Sequence, residues 1–181
     1  MQLLLNFSAF QMGWLSSVVG GARQMPWLGP LVVLVALLIH LRAARKPFDE
    51  IILVLVSAVI GGIFDSLLVA AGWVAYPSGT FASALAPYWI ITMWMLFATT
   101  LNVSMRWLRD RVRLAAIFGL LGGPAAYLAG EEFGGIALVE RVPALVALAI
   151  GWTVILPALL RLSETFDGMP GPRRVWLEER V

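Results

Sequence analysis

The stretch Ile51–Gly72, IILVLVSAVIGGIFDSLLVAAG, holds a single ionisable residue, Asp65, in 22 positions. An α-helix rises about 1.5 Å per residue, so roughly 20 apolar residues cross a hydrocarbon core of about 30 Å. This stretch therefore reads as a membrane helix. The whole chain supports that reading, with 60% hydrophobic and only 13% charged residues. A soluble domain carries about 25% charged residues. So few charges cannot cover a surface that faces water, and the apolar residues must meet lipid instead.

Five further apolar stretches flank the first: Leu3–Gly21, Pro26–Leu41, Pro87–Met105, Leu114–Gly130 and Val142–Leu160. In chain order the second and fifth of the six are short. Pro26, Pro87 and Pro143 stand at the starts of the even-numbered stretches, where the missing proline N–H has no helical partner to lose. The opening MQLLLNFSAF has no basic residue before its apolar run, so the first helix is expected to be retained rather than cleaved.

The basic residues set the orientation. Arg42, Arg45 and Lys46 follow the second stretch; Arg106, Arg109, Arg111 and Arg113 follow the fourth; Arg161, Arg173, Arg174 and Arg180 follow the sixth. The other side holds only Arg23 and Arg141. Positive-inside asymmetry then places both termini in the cytoplasm. Trp27, Trp73, Tyr76 and Trp89 are expected at the outer interface and Trp107 at the inner one. The fold expected is all-α, a polytopic six-transmembrane-helix bundle. Residues 1–162 form its single domain and residues 163–181 a flexible cytoplasmic tail. Val175, Trp176 and Leu177 in that tail could dock a partner.

Composition excludes several chemistries. There is no cysteine and one histidine, His40, so no metal site or haem is expected and no cofactor is implied. No Gly-x-Ser-x-Gly elbow and no phosphate-cradling glycine loop occurs. Asp65 is alone in the apolar stretches, which excludes an intramembrane aspartyl dyad. The net charge of +2 is too small and scattered for nucleic-acid binding.

The odd-numbered helices carry small residues four apart: Ala9, Gly13, Ser17 and Gly21; Ala58, Gly62, Ser66 and Ala70; and Gly122, Ala126, Gly130 and Gly134. Such faces let backbones approach closely in lipid, where the hydrophobic effect does not drive helices together. Packing inside the bundle explains them; alternatively the face on the first helix docks another membrane protein.

Asp65 lies fourteen residues into its stretch, about 21 Å along the helix. A carboxyl at that depth costs roughly 2.5–3.5 kcal/mol on insertion scales and must face a partner or a wet cavity. Tyr127 and Trp94 reach a comparable depth, with Glu131 just above and Arg23 at the outer end of the first helix. Pro124 can kink the fifth helix. Asp65, Tyr127, Trp94, Glu131 and Arg23 are the candidate ligand-binding residues, lining an outward-facing pocket. The competing reading is a structural Asp65 held by Tyr127 or Arg23. Thr92, Thr99, Asn102 and Arg106 form a polar stripe suited to interhelical hydrogen bonds. Gln11 and Trp152 read as packing residues and His40 as an interfacial histidine.

The segments FQMGW (Phe10–Trp14), GGIFDSLL (Gly61–Leu68), PYWIITMWMLFATTL (Pro87–Leu101) and GLLGGPAAYLAGEEFG (Gly119–Gly134) resemble an uncharacterised family of small bacterial inner-membrane proteins, known as a domain of unknown function. The resemblance spans Met1 to about Leu160. It implies the bacterial cytoplasmic membrane and a connection with membrane-lipid modification or envelope stress, and it carries no established activity. The function expected is to bind or move a small apolar or lipid-like ligand, possible also as a subunit of a larger membrane complex. The alternative is an enzyme or enzyme accessory acting on acyl chains, with Asp65 and Tyr127 as acid–base pair.

Overall fold

The computed structural model describes residues 2–171 and is all-helical apart from one two-residue strand pair. Its helices are α1 (Gln2–Ala22), α2 (Leu28–Ala43), α3 (Pro47–Ala70), α4 (Tyr88–Leu101), α5 (Val112–Glu132) and α6 (Arg141–Thr165). Four of them, α1, α3, α5 and α6, are long and apolar enough to cross a membrane. The 16 residues of α2 and the 14 of α4 span only about 24 and 21 Å at 1.5 Å per residue.

The helix ends depart from the sequence reading for physical reasons. The fourth helix, expected to reach Met105, stops at Leu101 because Asn102 is drawn into a buried polar cluster. A short 3₁₀ turn, Arg106–Leu108, follows. The fifth helix, expected to be short, has 21 residues. Charged Arg113, Glu131 and Glu132 bounded the apolar stretch there, but charge does not stop a helix. α3 starts early, at Pro47 in its first turn, with Asp49 and Glu50 beside the positive end of the helix dipole.

Successive helices run up and down. Asn6 in α1 donates to the Thr99 carbonyl near the end of α4 (3.0 Å). His40 at the end of α2 meets Glu50 at the start of α3 (2.8 Å). Arg109, just before α5, donates to Ser163 near the end of α6 (3.1 Å). At the opposite end, β1 (Val74–Ala75) pairs antiparallel with β2 (Ala137–Leu138), tying the α3–α4 loop to the α5–α6 loop. Gly72 and Gly134, both at positive φ (73° and 77°), turn the chain out of α3 and α5.

Small residues decide which faces meet. Ser17 is fully buried, and a side chain at Gly29 of α2 would strike it. Gly13 lies against Leu96 and Gly21 against Trp89, both on α4. The Ala9/Gly13/Ser17/Gly21 face, read as bundle packing or alternatively as a docking face, packs against the chain's own α2 and α4. On α5 the tight contacts fall at Gly119 and Gly123, against Trp152 of α6, and at Gly130, against Ile136, whereas Gly122 faces open space. Two expected belt residues also sit inside. Trp89 is buried, its indole N–H donating to the Ser78 carbonyl (3.0 Å). Tyr76 turns in toward Asp65.

The expected domain boundary at residue 162 falls within α6, and the chain beyond it returns to the bundle. The Arg45 N–H donates to the Gly168 carbonyl (2.8 Å). Asp167 pairs with Arg106 (2.6 Å) and Arg109 (2.8 Å). Val175, Trp176 and Leu177 lie outside the described residues.

Candidate functional site

Asp65 is fully buried on α3, and both of its carboxyl oxygens accept hydrogen bonds. Oδ1 takes the hydroxyls of Tyr76 (3.0 Å) and Tyr127. Oδ2 takes the indole N–H of Trp94 (2.7 Å). Each donor comes from a different element: the α3–α4 loop, α5 and α4. One carboxyl therefore joins three parts of the chain that the helical periodicity of any one of them does not connect. Burial first, and the Asp65 carboxyl second, push the Tyr76 phenol well above its ordinary range, so that loop hydroxyl stays a donor.

The Trp94 indole is fixed on all sides. Gly61 provides its seat, since a methyl group there would overlap the ring. Trp152 stacks on it at 4.7 Å and 13°, and Phe97 stands edge-on to both rings. Offset and edge-to-face geometry suits the aromatic quadrupole.

A cavity of about 460 Å³ opens beside this cluster. It lies between α1 and α4 on one side and α5 and α6 on the other, and Phe10, Trp14, Phe97, Phe118, Tyr127 and Trp152 give its walls their aromatic character. Asp65 and Trp94 also reach its lining. Volume and character fall within the range of small-molecule sites, roughly 300–1,000 Å³ and mostly apolar with a few polar groups.

Of the five candidate residues, Asp65, Tyr127 and Trp94 come together. Glu131 and Arg23 do not join them. Glu131 pairs with Arg141 (2.8 Å) and accepts the Leu138 N–H (3.2 Å), bracing the α5–α6 loop. Arg23 is exposed beyond the end of α1 and makes none of the Asp65 contacts. The sequence reading placed Tyr76 in the aromatic belt rather than at this site, because a loop residue has no periodicity to point it at a helix eleven residues back. It also assigned Gln11 and Trp152 to packing, though both line the cavity.

A second buried cluster lies at the other end of the bundle. Glu50 is fully buried. It meets His40 (2.8 Å), and it accepts the Asn102 side-chain amide (2.6 Å) and the Gly168 N–H (2.8 Å). Asn102 in turn accepts from Arg109, which reaches Asp167 and Ser163. His40, expected at the interface, is buried here. Among the described residues no group of three or more His, Asp or Glu side chains is arranged to hold a metal ion.

A family model described as "Protein of unknown function (DUF2878)" matches residues 3–158. No curated protein and no solved structure matches the chain.

Proposed function

The chain belongs to that family of unknown function, and from this premise we propose that it is an integral inner-membrane protein that binds a small apolar or lipid-like ligand in the cavity beside Asp65. The observation that carries the reading is the aromatic-walled space of about 460 Å³ with Asp65, Trp94 and Tyr127 at its wall. In this reading all six helices traverse or nearly traverse the bilayer, with the shorter α2 and α4 held inside by their neighbours. The Glu50 end of the bundle, where most arginines lie, faces the cytoplasm. The chain's exposed leucines, isoleucines and valines on α1, α2, α3 and α6 are then the lipid-facing surface. A role in acyl-chain modification, with Asp65 and Tyr127 exchanging a proton, rests on the same hydrogen bond.

Two experiments test these statements. Reporter fusions within Arg106–Arg113 and after Ser163 read cytoplasmic, and fusions within Trp73–Ala86 read periplasmic; the reverse pattern rejects the topology. For the cavity, Gly122→Phe places a ring where nothing lies within 4 Å of a new Cβ, and it removes a helical glycine, a gain of roughly 0.3–0.5 kcal/mol in helix propensity. The variant folds as well as wild type. Mass spectrometry of the purified proteins finds a lipid-like molecule retained by wild type and lost from the variant. Equal retention by both rejects the cavity as its site.

A further inference from the structure

We propose that the cavity takes an uncharged lipid whose carbonyl oxygen is held by the side-chain amide of Gln11, entering from the bilayer between α1 and α5. The inference rests on the ligand-binding reading above and deepens it by naming the ligand class and the residue that recognises its polar group.

Gln11 lies nine residues into α1, about 14 Å from its start, close to the middle of a membrane-crossing helix. It lines the cavity, it is exposed, and among the described residues its side chain makes no hydrogen bond. An amide without a partner at that depth is costly, because hydrocarbon offers nothing to bond it. The remaining polar groups on the lining cannot serve it, since Asp65 and Tyr127 are engaged with each other and Asp65 also holds Trp94 and Tyr76. The unfilled hydrogen-bonding capacity of the cavity therefore lies at Gln11, which offers two N–H donors, and at the indole N–H of Trp152, which is buried on the lining without a partner.

The charge of the lining selects the ligand. No lysine, arginine or histidine borders the cavity. A phosphate or carboxylate headgroup would enter without a counter-ion, which low-dielectric surroundings penalise heavily. Both oxygens of the one carboxyl already accept hydrogen bonds, so a cationic headgroup gains little from it. An uncharged polar group on an apolar body fits. A carbonyl oxygen accepts from the amide N–H groups, and the aromatic walls receive the rest of the molecule.

The route follows from where small residues lie. Gly122 and Ala125 on α5 are exposed cavity residues, as is Gln11 on α1, so the wall is thin between these two helices. Toward the β1–β2 end, Trp14 of α1 closes on Phe133 edge-to-face at 5.9 Å. Entry is sideways, from lipid, at the level of Gln11.

Carbonyls of this kind occur in neutral acylglycerols and in isoprenoid quinones, and a titration distinguishes them. The full chain is purified in an alkyl maltoside, which has no carbonyl group. It is titrated with dioleoylglycerol, decylubiquinone, a dialkylglycerol ether lacking carbonyls, and phosphatidic acid, with tryptophan fluorescence reporting from Trp94 and Trp152. Wild type binds at least one of the two carbonyl lipids saturably, and which one identifies the source. Gln11→Leu weakens that binding about ten-fold with an unchanged melting temperature, and wild type binds the ether about as weakly. The proposal is overturned if phosphatidic acid binds as well as the carbonyl lipids. It also fails if Gln11→Leu binds like wild type, or if that substitution changes the oligomeric mass instead of the affinity. Should Gly122→Phe abolish binding while Gln11→Leu leaves it intact, the cavity reading stands and the Gln11 inference fails. No saturable binding of any lipid to wild type removes both.

Discussion

Asp65→Leu lowers the stability of the purified protein by about 3–9 kcal/mol, because it orphans three donors at once, at roughly 1–3 kcal/mol each. The Tyr76 and Tyr127 hydroxyls and the Trp94 indole N–H all point at this carboxyl, and leucine can accept from none of them. Tyr76 sits on a loop and recovers part of its loss by turning to water; Trp94, pinned between Gly61 and Trp152, cannot. Asp65→Asn falls between. Its amide oxygen still accepts from both tyrosines, but its nitrogen is a donor and faces the donor of Trp94, at a cost of about 1–3 kcal/mol. Trp94→Phe in the Asn background removes that clash, so the double variant loses less than the sum of the singles. Melting curves of wild type, Asp65→Leu, Asp65→Asn, Trp94→Phe and the double variant in one detergent check this. Equal melting temperatures for Leu, Asn and wild type would sink the account of the cluster.

Glu50→Leu is the second large effect, about 3–5 kcal/mol, the range for removing one partner of a buried ionic cluster. Glu50 gathers His40 from α2, Asn102 from the end of α4 and the Gly168 N–H from the chain after α6. Its loss loosens the whole end of the bundle rather than one contact. Glu50→Gln keeps an accepting oxygen for Asn102 and Gly168 and costs only about 1.5–3 kcal/mol, the net value of a hydrogen bond to a charged group. Thermal melts of both variants decide it: a Gln variant as unstable as the Leu variant shows that charge, not acceptor geometry, holds this end.

Both clusters show where sequence reasoning stopped. Asp65, Trp94 and Tyr127 stood out because each is polar or aromatic deep in an apolar stretch, and depth along a helix is a one-dimensional quantity. Tyr76 did not, since its placement depends on how the loop after Gly72 turns and on the β1–β2 pairing, which joins residues more than sixty positions apart. Arg23 and Glu131 were drawn to Asp65 by depth alone. Rotation about the helix axis decides otherwise: Glu131 faces Arg141, and Arg23 faces outward. Glu50 was invisible for a different reason. It stands four residues past Lys46 among the charges that end an apolar stretch, and only the return of 166–170 over the bundle encloses it.

Hydropathy and length by themselves determined that this is an all-helical chain of six apolar helices, because a 1.5 Å rise against a fixed hydrocarbon thickness leaves little else for such stretches to be. The family was legible as well, from short segments around Asp65, Trp94 and Tyr127. The tertiary structure alone decided which helix faces meet, that α5 and α6 stand apart from α1 and α4 to leave a cavity, and that Gln11 borders it. Those outcomes depend on azimuth and on small-residue contacts such as Gly61 with Trp94 and Gly123 with Trp152. In a chain apolar on nearly every face, the pattern of polar and apolar residues carries almost no information about azimuth.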